Sequence, residues 1–132
     1  MNIDPALIKE AKEWLDQLDE DLQAELTPDY MGSGEDYLHR MEWEIRKYHG
    51  ELLDAIKAAL GCWLRGSDKG KFITAAEMID RLKATEYLLE VEKIRDQIQS
   101  GTSHWPASYL SLVEVVRKHL RDAEAQQKGQ KP

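Results

Sequence analysis

Apolar residues recur every three or four positions along most of this chain, and this spacing constrains the fold more than any other feature. The first stripe contains Leu7, Ile8, Ala11, Trp14, Leu15, Leu18 and Leu22. A period near 3.6 residues places such side chains on one face of an α-helix. Val and Thr, which favour strands, are sparse in the sequence. The chain is therefore predicted to be all-α.

About five helices are predicted from these stripes and from the turn residues between them. They cover residues 5–26, 35–64, 72–83, 86–100 and 106–125, and the short loops favour an antiparallel bundle or a short stacked array of α-hairpins. The second stripe stays in phase across Gly50, which favours one long helix, although His49-Gly50 is a candidate break. We expect residues 1–125 to form a single helical domain and residues 126–132 to form a disordered tail.

The segment KGKFITAAEMIDRLKATEYLLEVEKIRDQIQSG, which begins at Lys69, has the pattern of two short helices separated by a tight corner. The first helix carries the small pair Ala75-Ala76 and a leucine before the corner, and EYLLEVEKI lies on the second. Together with the following SYLSLVEVVRKHL, residues 69–120 resemble HEAT-type α-helical repeat units. The resemblance implies a stacked α-hairpin scaffold and a binding role, and it implies no particular site residues.

The net charge of −7 is distributed unevenly along the chain. Residues 1–30 contain nine acidic and two basic side chains, whereas residues 31–132 contain sixteen of each. Such a concentration of negative charge repels nucleic acid and anionic lipid, and it attracts a basic protein. We therefore expect a basic protein partner, with neither nucleic acid nor membrane as a partner.

Three features of the sequence bear on where the protein resides. Cys62 is the only cysteine, which excludes an intramolecular disulfide. The residues from Met1 to Pro5 lead directly into a charged helix, and they lack the apolar segment of a signal peptide. No apolar run approaches the roughly 20 residues that a membrane-spanning helix needs. A cytoplasmic protein is therefore expected.

The candidate partner-binding residues lie on the first two predicted helices. They are Glu13, Asp16, Glu20 and Asp21 on the first helix, and Trp43 and Arg46 on the second. Trp and Arg are enriched at the energetic centres of protein interfaces, and Trp43 lies opposite the apolar stripe of its helix. A structural alternative remains open for each group of residues. For the acidic residues, it is an ordinary solvated face. For Trp43, it is burial under the first helix or under the loop at residues 27–34.

A metal-binding helical-bundle enzyme is the alternative function. Asp36 and His39 are three residues apart, with Glu42 one turn further, and such spacings occur in the carboxylate metal sites of bundles. A di-iron site needs two motifs of this kind, and the sequence contains one. Cys62 has no base in helical register that would activate its thiol. No catalytic residue and no cofactor are therefore predicted.

The favoured function is that of a non-enzymatic protein-binding module, an adaptor or inhibitor that engages a basic partner through the acidic first helix. An immunity- or antitoxin-like protein that blocks a basic enzyme is one concrete form of this hypothesis. A small subunit of a larger assembly is another form. A homo-oligomer that hides Trp43 in its own interface is a separate possibility, distinct from both the binding module and the metal enzyme.

Overall fold

The computed structural model of the chain describes residues 3–25 and 35–129. These ranges contain six α-helices and no strand, which confirms the all-α prediction. The helices are α1 (Pro5–Glu25), α2 (Glu35–Ile45), α3 (Gly50–Arg65), α4 (Lys69–Arg81), α5 (Leu88–Ser100) and α6 (Leu110–Gly129). Single 3-10 turns, Thr85–Tyr87 and Ala107–Tyr109, lead into α5 and α6. The loop predicted at residues 27–34 lies outside the described residues.

Backbone contacts divide the chain into two compact units, Met1–Met78 and Ile79–Pro132. The boundary falls within α4, so that α1, α2 and α3 belong to the first unit, and α5 and α6 belong to the second. The single domain expected over residues 1–125 stays a prediction, as does the HEAT-like stacking of residues 69–120.

The first unit is organised around α1, which packs against α2 and α3. Asp4 begins this helix because its Oδ1 accepts a hydrogen bond from the backbone N–H of Ala6 at 3.0 Å, and Pro5 suits the first helical position. The apolar stripe of α1 faces inward, with Leu15 fully buried and Leu22 almost so. The predicted stripe is therefore the packing face of the helix.

The second unit is a pair of packed helices, α5 and α6. Its buried apolar residues from these helices are Leu88, Val91, Ile98, Val113, Val116, Leu120 and Ala123. Ion pairs border this apolar seam: Arg95 Nε lies 2.7 Å from Glu114 Oε1, and Arg117 Nη1 lies 3.6 Å from Glu92 Oε2. Gly101 ends α5 with a φ of 79°, where its N–H reaches the carbonyls of the last turn.

The single long helix favoured for residues 35–64 is wrong, because α2 ends at Ile45 and α3 begins at Gly50. The last turn of α2 tightens, with the Tyr48 N–H donating to the Ile45 carbonyl at 3.1 Å. His49 is extended, and Gly50 has a φ of 59°, in the left-handed region that glycine tolerates best. An apolar stripe that stays in phase does not distinguish one helix from two helices that face the same core.

The chain also departs from prediction at its C-terminal end. Helix α6 continues to Gly129, whereas a disordered tail was predicted from residue 126. Residues 130–132 lie outside the described residues. Among the helices that the structure describes, none combines the length and the apolar composition that crossing a membrane requires.

Replacing Gly50 by alanine should lower the free energy of unfolding by about 1 kcal/mol, because a Cβ is strained at positive φ. An added Cβ would meet no other described atom within 4 Å outside its own helix and chain neighbours, so the cost is conformational. Gly129→Ala, also in open space but without a positive φ, is the matched control and should stay within about 0.5 kcal/mol. Urea unfolding followed by circular dichroism measures both variants. Superimposable curves would contradict the left-handed backbone at residue 50.

Candidate functional site

The carboxylates of α1 fall into two groups with different surroundings. Asp16 and Asp19 are half-buried and bind side chains of other segments of the first unit. Glu13, Glu20 and Asp21 are exposed to solvent. The four acidic residues predicted on this helix therefore include one, Asp16, with a structural role.

Asp16 links α1 to α3 and α4. Its Oδ1 accepts a hydrogen bond from Trp63 Nε1 at 3.0 Å and lies 3.4 Å from Lys71 Nζ. The ammonium group of Lys71 also lies 5.6 Å from the centre of the Trp63 ring, within reach of a cation–π contact. Trp63 is only 4% exposed, so its indole N–H needs a partner inside the protein. The Asp16 carboxylate supplies that partner.

Asp19 links α1 to α2. The Tyr37 hydroxyl donates a hydrogen bond to Asp19 Oδ1, and Gln23 Nε2 donates to the same oxygen at 2.8 Å. Tyr37 also interacts with the hydroxyl of Thr74, a buried residue of α4. Partial burial raises the pKa of Tyr37 above its usual value, and the hydrogen bond to Asp19 adds to that effect. The phenol therefore stays protonated and serves as a fixed donor.

Glu13, Glu20 and Asp21 remain available at the surface. Glu13 and Glu20 are seven residues apart and so lie on one stripe of the helix. Asp21 accepts a hydrogen bond from Gln17 at 3.0 Å, within the same helix. The first unit carries a formal charge of −8 from seventeen acids and nine bases, whereas the second carries +1 from eight acids and nine bases. The negative charge is thus concentrated in the unit that contains α1.

Trp43 is 65% exposed, so α1 does not cover it, and the loop at residues 27–34, the other element considered, lies outside the described residues. It lies on α2 among charged residues. Arg46 Nε lies 2.7 Å from Glu42 Oε2, and Lys47 Nζ lies 3.0 Å from Glu44 Oε1. These pairs hold cationic side chains on the surface that carries Trp43. A large aromatic side chain in this setting resembles an interface anchor more than a core residue.

The residues of the metal hypothesis do not assemble into a ligand set. Asp36 and His39 are both exposed, and Glu42 is engaged by Arg46. Within residues 3–25 and 35–129, no three side chains of His, Cys, Asp or Glu are grouped closely enough to hold a metal ion. Cys62 is half-buried and is a free thiol.

The first unit also has an apolar cleft that no sequence pattern predicted. Helix α1 contributes Leu7, Ala11 and Trp14, α3 contributes Leu52 and Ile56, and Tyr48 comes from the link before α3. We call this the Trp14 cleft; its volume is about 170 Å³. The Trp14 and Tyr48 rings meet edge to face, with centroids 5.2 Å apart. Leu52 is 49% exposed although it lies on the apolar stripe, and no sequence signal distinguished it from a core leucine.

A second feature that sequence reasoning missed lies in the second unit. His119 Nδ1 lies 2.9 Å from Asp80 Oδ1, and the residues are 39 positions apart. No helical register relates His119 to Asp80, so the sequence carries no local signal for this pair. Lys83 and Asp122 lie close to this pair.

Comparisons with family models, with curated proteins and with solved structures found no match for this chain. The chemistry of the described surface indicates what it can bind. Exposed carboxylates on a helix pair with Lys and Arg side chains, and they add negative potential over a distance of roughly 10 Å at ordinary salt. An exposed Trp and an apolar cleft supply contacts that exclude water. The first unit therefore combines exposed carboxylates with exposed apolar surface.

Replacing Asp16 by alanine should destabilise the protein by about 1 kcal/mol, because the buried indole N–H of Trp63 loses its hydrogen-bond partner. Glu13→Ala, which removes an exposed carboxylate from the same helix, is the control and should change stability by less than about 0.5 kcal/mol. Thermal unfolding followed by Trp fluorescence and circular dichroism measures both. Equal stability of the two variants would show that Asp16 is not a structural link.

The raised pKa of Tyr37 predicts a loss of stability at high pH. The unfolded chain releases the phenol proton near the ordinary value of about 10, whereas the folded protein retains it to higher pH. The stabilisation is therefore fully present below about pH 10 and declines as pH rises through the folded pKa. Urea unfolding between pH 8 and pH 11 (roughly the window set by that value) should show this decline in the wild type and a shallower one in Tyr37→Phe. Identical slopes would contradict the buried hydrogen-bonded phenol.

Proposed function

We propose that this chain is a non-enzymatic protein-binding module, an adaptor or inhibitor that engages a basic protein partner through the exposed carboxylates of α1. The observation that carries the proposal is that the carboxylates of α1 have two kinds of surroundings. Asp16 and Asp19 fix α1 to its own unit, and Glu13, Glu20 and Asp21 face solvent. A helix held in this way presents its remaining charges in a fixed arrangement.

Electrostatic complementarity acts mainly on the rate of encounter. A partner with a basic face is drawn toward the first unit, whose formal charge is −8, and is oriented before contact. The same charge repels nucleic acid and anionic lipid, so these are not the proposed partners. Trp43, exposed beside the Arg46–Glu42 pair, adds an apolar contact to the interface.

Two concrete forms of this function are consistent with the surface. In the first, the protein is immunity- or antitoxin-like and blocks a basic enzyme in the cytoplasm. In the second, it is a small subunit of a larger assembly, and Trp43 meets a neighbouring subunit. Both forms need a protein partner, and neither uses a metal or a cofactor. Self-association through Trp43 is the alternative to both forms, and a measurement of the protein's size in solution would detect it as an oligomer.

The triple variant Glu13→Gln, Glu20→Gln and Asp21→Asn should associate about three- to tenfold more slowly with a basic partner at low salt, because it removes steering charge. Asp16 is left unchanged because its loss would also break the Trp63 hydrogen bond. A pull-down from the native source supplies the partner, and stopped-flow mixing measures the rate at several salt concentrations. The difference from the wild type should shrink as salt is raised.

The matched control is Glu86→Gln, Asp96→Asn and Asp122→Asn, which removes three exposed carboxylates from the second unit. This variant has the same net charge as the test variant, and it should associate at close to the wild-type rate. If both triple variants slow association equally, only the overall charge matters and the role of α1 is refuted. Stoichiometric iron, manganese or zinc in the purified protein would favour the enzyme hypothesis instead.

A further inference from the structure

The Trp14 cleft is an apolar opening on the same helix that carries the exposed carboxylates. Leu52 forms one edge and is half exposed, and the Trp14 and Tyr48 rings form another part of the wall. The cleft volume of about 170 Å³ is below the roughly 300–1,000 Å³ of ordinary small-molecule pockets. An opening of this size suits one large side chain of a protein partner.

The border of the cleft is negatively charged. Glu10 lines the cleft and is exposed, and it precedes Trp14 by one helical turn. Glu51 is exposed beside Leu52 at the start of α3. In the part of the chain that the structure describes, neither carboxylate forms an ion pair. Glu10 therefore adds a carboxylate to the lining of an apolar opening, and Glu51 adds a second one next in sequence to Leu52, which also lines it.

We propose that the Trp14 cleft binds one large apolar side chain from a basic segment of the partner, whose flanking Lys or Arg residues pair with Glu10 and Glu51. The inference rests on the proposed function and deepens it, because it names the chemistry of the segment that docks. Insertion of an apolar anchor with ionic contacts at its border follows the general anatomy of protein interfaces.

Charge complementarity selects this occupant over a second copy of the chain. A second copy that approached through its own first unit would bring another formal charge of −8 to the acidic border. Like charges in direct opposition disfavour such a pairing. A basic segment instead neutralises Glu10 and Glu51 while its apolar residue leaves water.

Selection of random twelve-residue peptides displayed on phage, against the full-length protein, tests the proposal without knowledge of the partner. The selected peptides should combine Lys or Arg with one large apolar residue. Replacing that residue by alanine in a synthetic peptide should weaken binding by about tenfold, given the apolar area that it buries. Fluorescence anisotropy of labelled peptides measures the affinity.

Variants of the protein locate the binding site. Leu52→Ala removes the exposed edge of the cleft and should weaken the selected peptides about fivefold or more, whereas Leu52→Met, which keeps an apolar edge, should retain most of the affinity. Leu89→Ala removes an exposed leucine from the second unit and is the matched control, with no expected effect. Glu10→Gln should weaken binding at low salt and have less effect at high salt. Circular dichroism confirms that each variant is folded.

The outcomes separate this inference from the proposed function. One outcome would contradict the cleft proposal and still support the proposed function. In that outcome the selected peptides are basic but share no apolar residue, and they bind the α1 triple variant more weakly and Leu52→Ala as tightly as the wild type. Three outcomes would count against both the cleft proposal and the proposed function. They are selection of acidic peptides, selection of peptides whose affinity falls only in Leu89→Ala, and no enrichment of any peptide. Concentration-dependent dimerisation abolished by Leu52→Ala would show that a second copy occupies the cleft, and it would overturn the proposal.

Discussion

The hydrogen bond from the buried Trp63 indole to Asp16 is the interaction on which the arrangement of the first unit depends. It joins an exposed, highly charged helix to a buried aromatic residue of α3, and Lys71 balances the carboxylate from α4. The apolar stripe of α1 packs against its neighbours, and a polar contact of fixed geometry adds a directional constraint that apolar packing does not supply. The Tyr37 hydroxyl on Asp19 adds a second contact of the same kind from α2.

These contacts explain why the acidic residues of α1 have separate roles. A residue whose oxygens are committed to Trp63 cannot also bind a partner at full strength, because its lone pairs are already used. The exposed residues make no such contact with another helix, since Asp21 accepts only from Gln17 of α1 itself, and they share the fixed position that Asp16 and Asp19 give the helix. Preorganised charge costs less on association than charge on a mobile segment. Carboxylates that hold the helix in place and carboxylates that face solvent therefore share one helix.

The sequence predicted the helical class and the inward stripe of α1, because both depend on periodicity within one element. It marked His49-Gly50 only as a candidate break and favoured one long helix, since two successive helices with the same inward face produce one continuous stripe. It also did not separate Asp16 from Glu13 and Glu20, because the partners of Asp16 lie 47 and 55 residues away along the chain. The exposure of Leu52 and Trp43 depends on tertiary packing in the same way. Local pattern determines which face of a helix is apolar, and long-range contacts determine how much of that face is covered.

The interruption between α2 and α3 has a consequence for how the surface of this protein can change. Tyr48 belongs to the non-helical link, and its ring still contacts Trp14. The position of that ring depends on a few backbone torsions and not on the register of a long helix. Substitution of Tyr48 changes the wall of the opening directly, because this residue of the link lines it. A short connection between two helices thus lets the surface at the opening vary while the buried residues of both helices are kept.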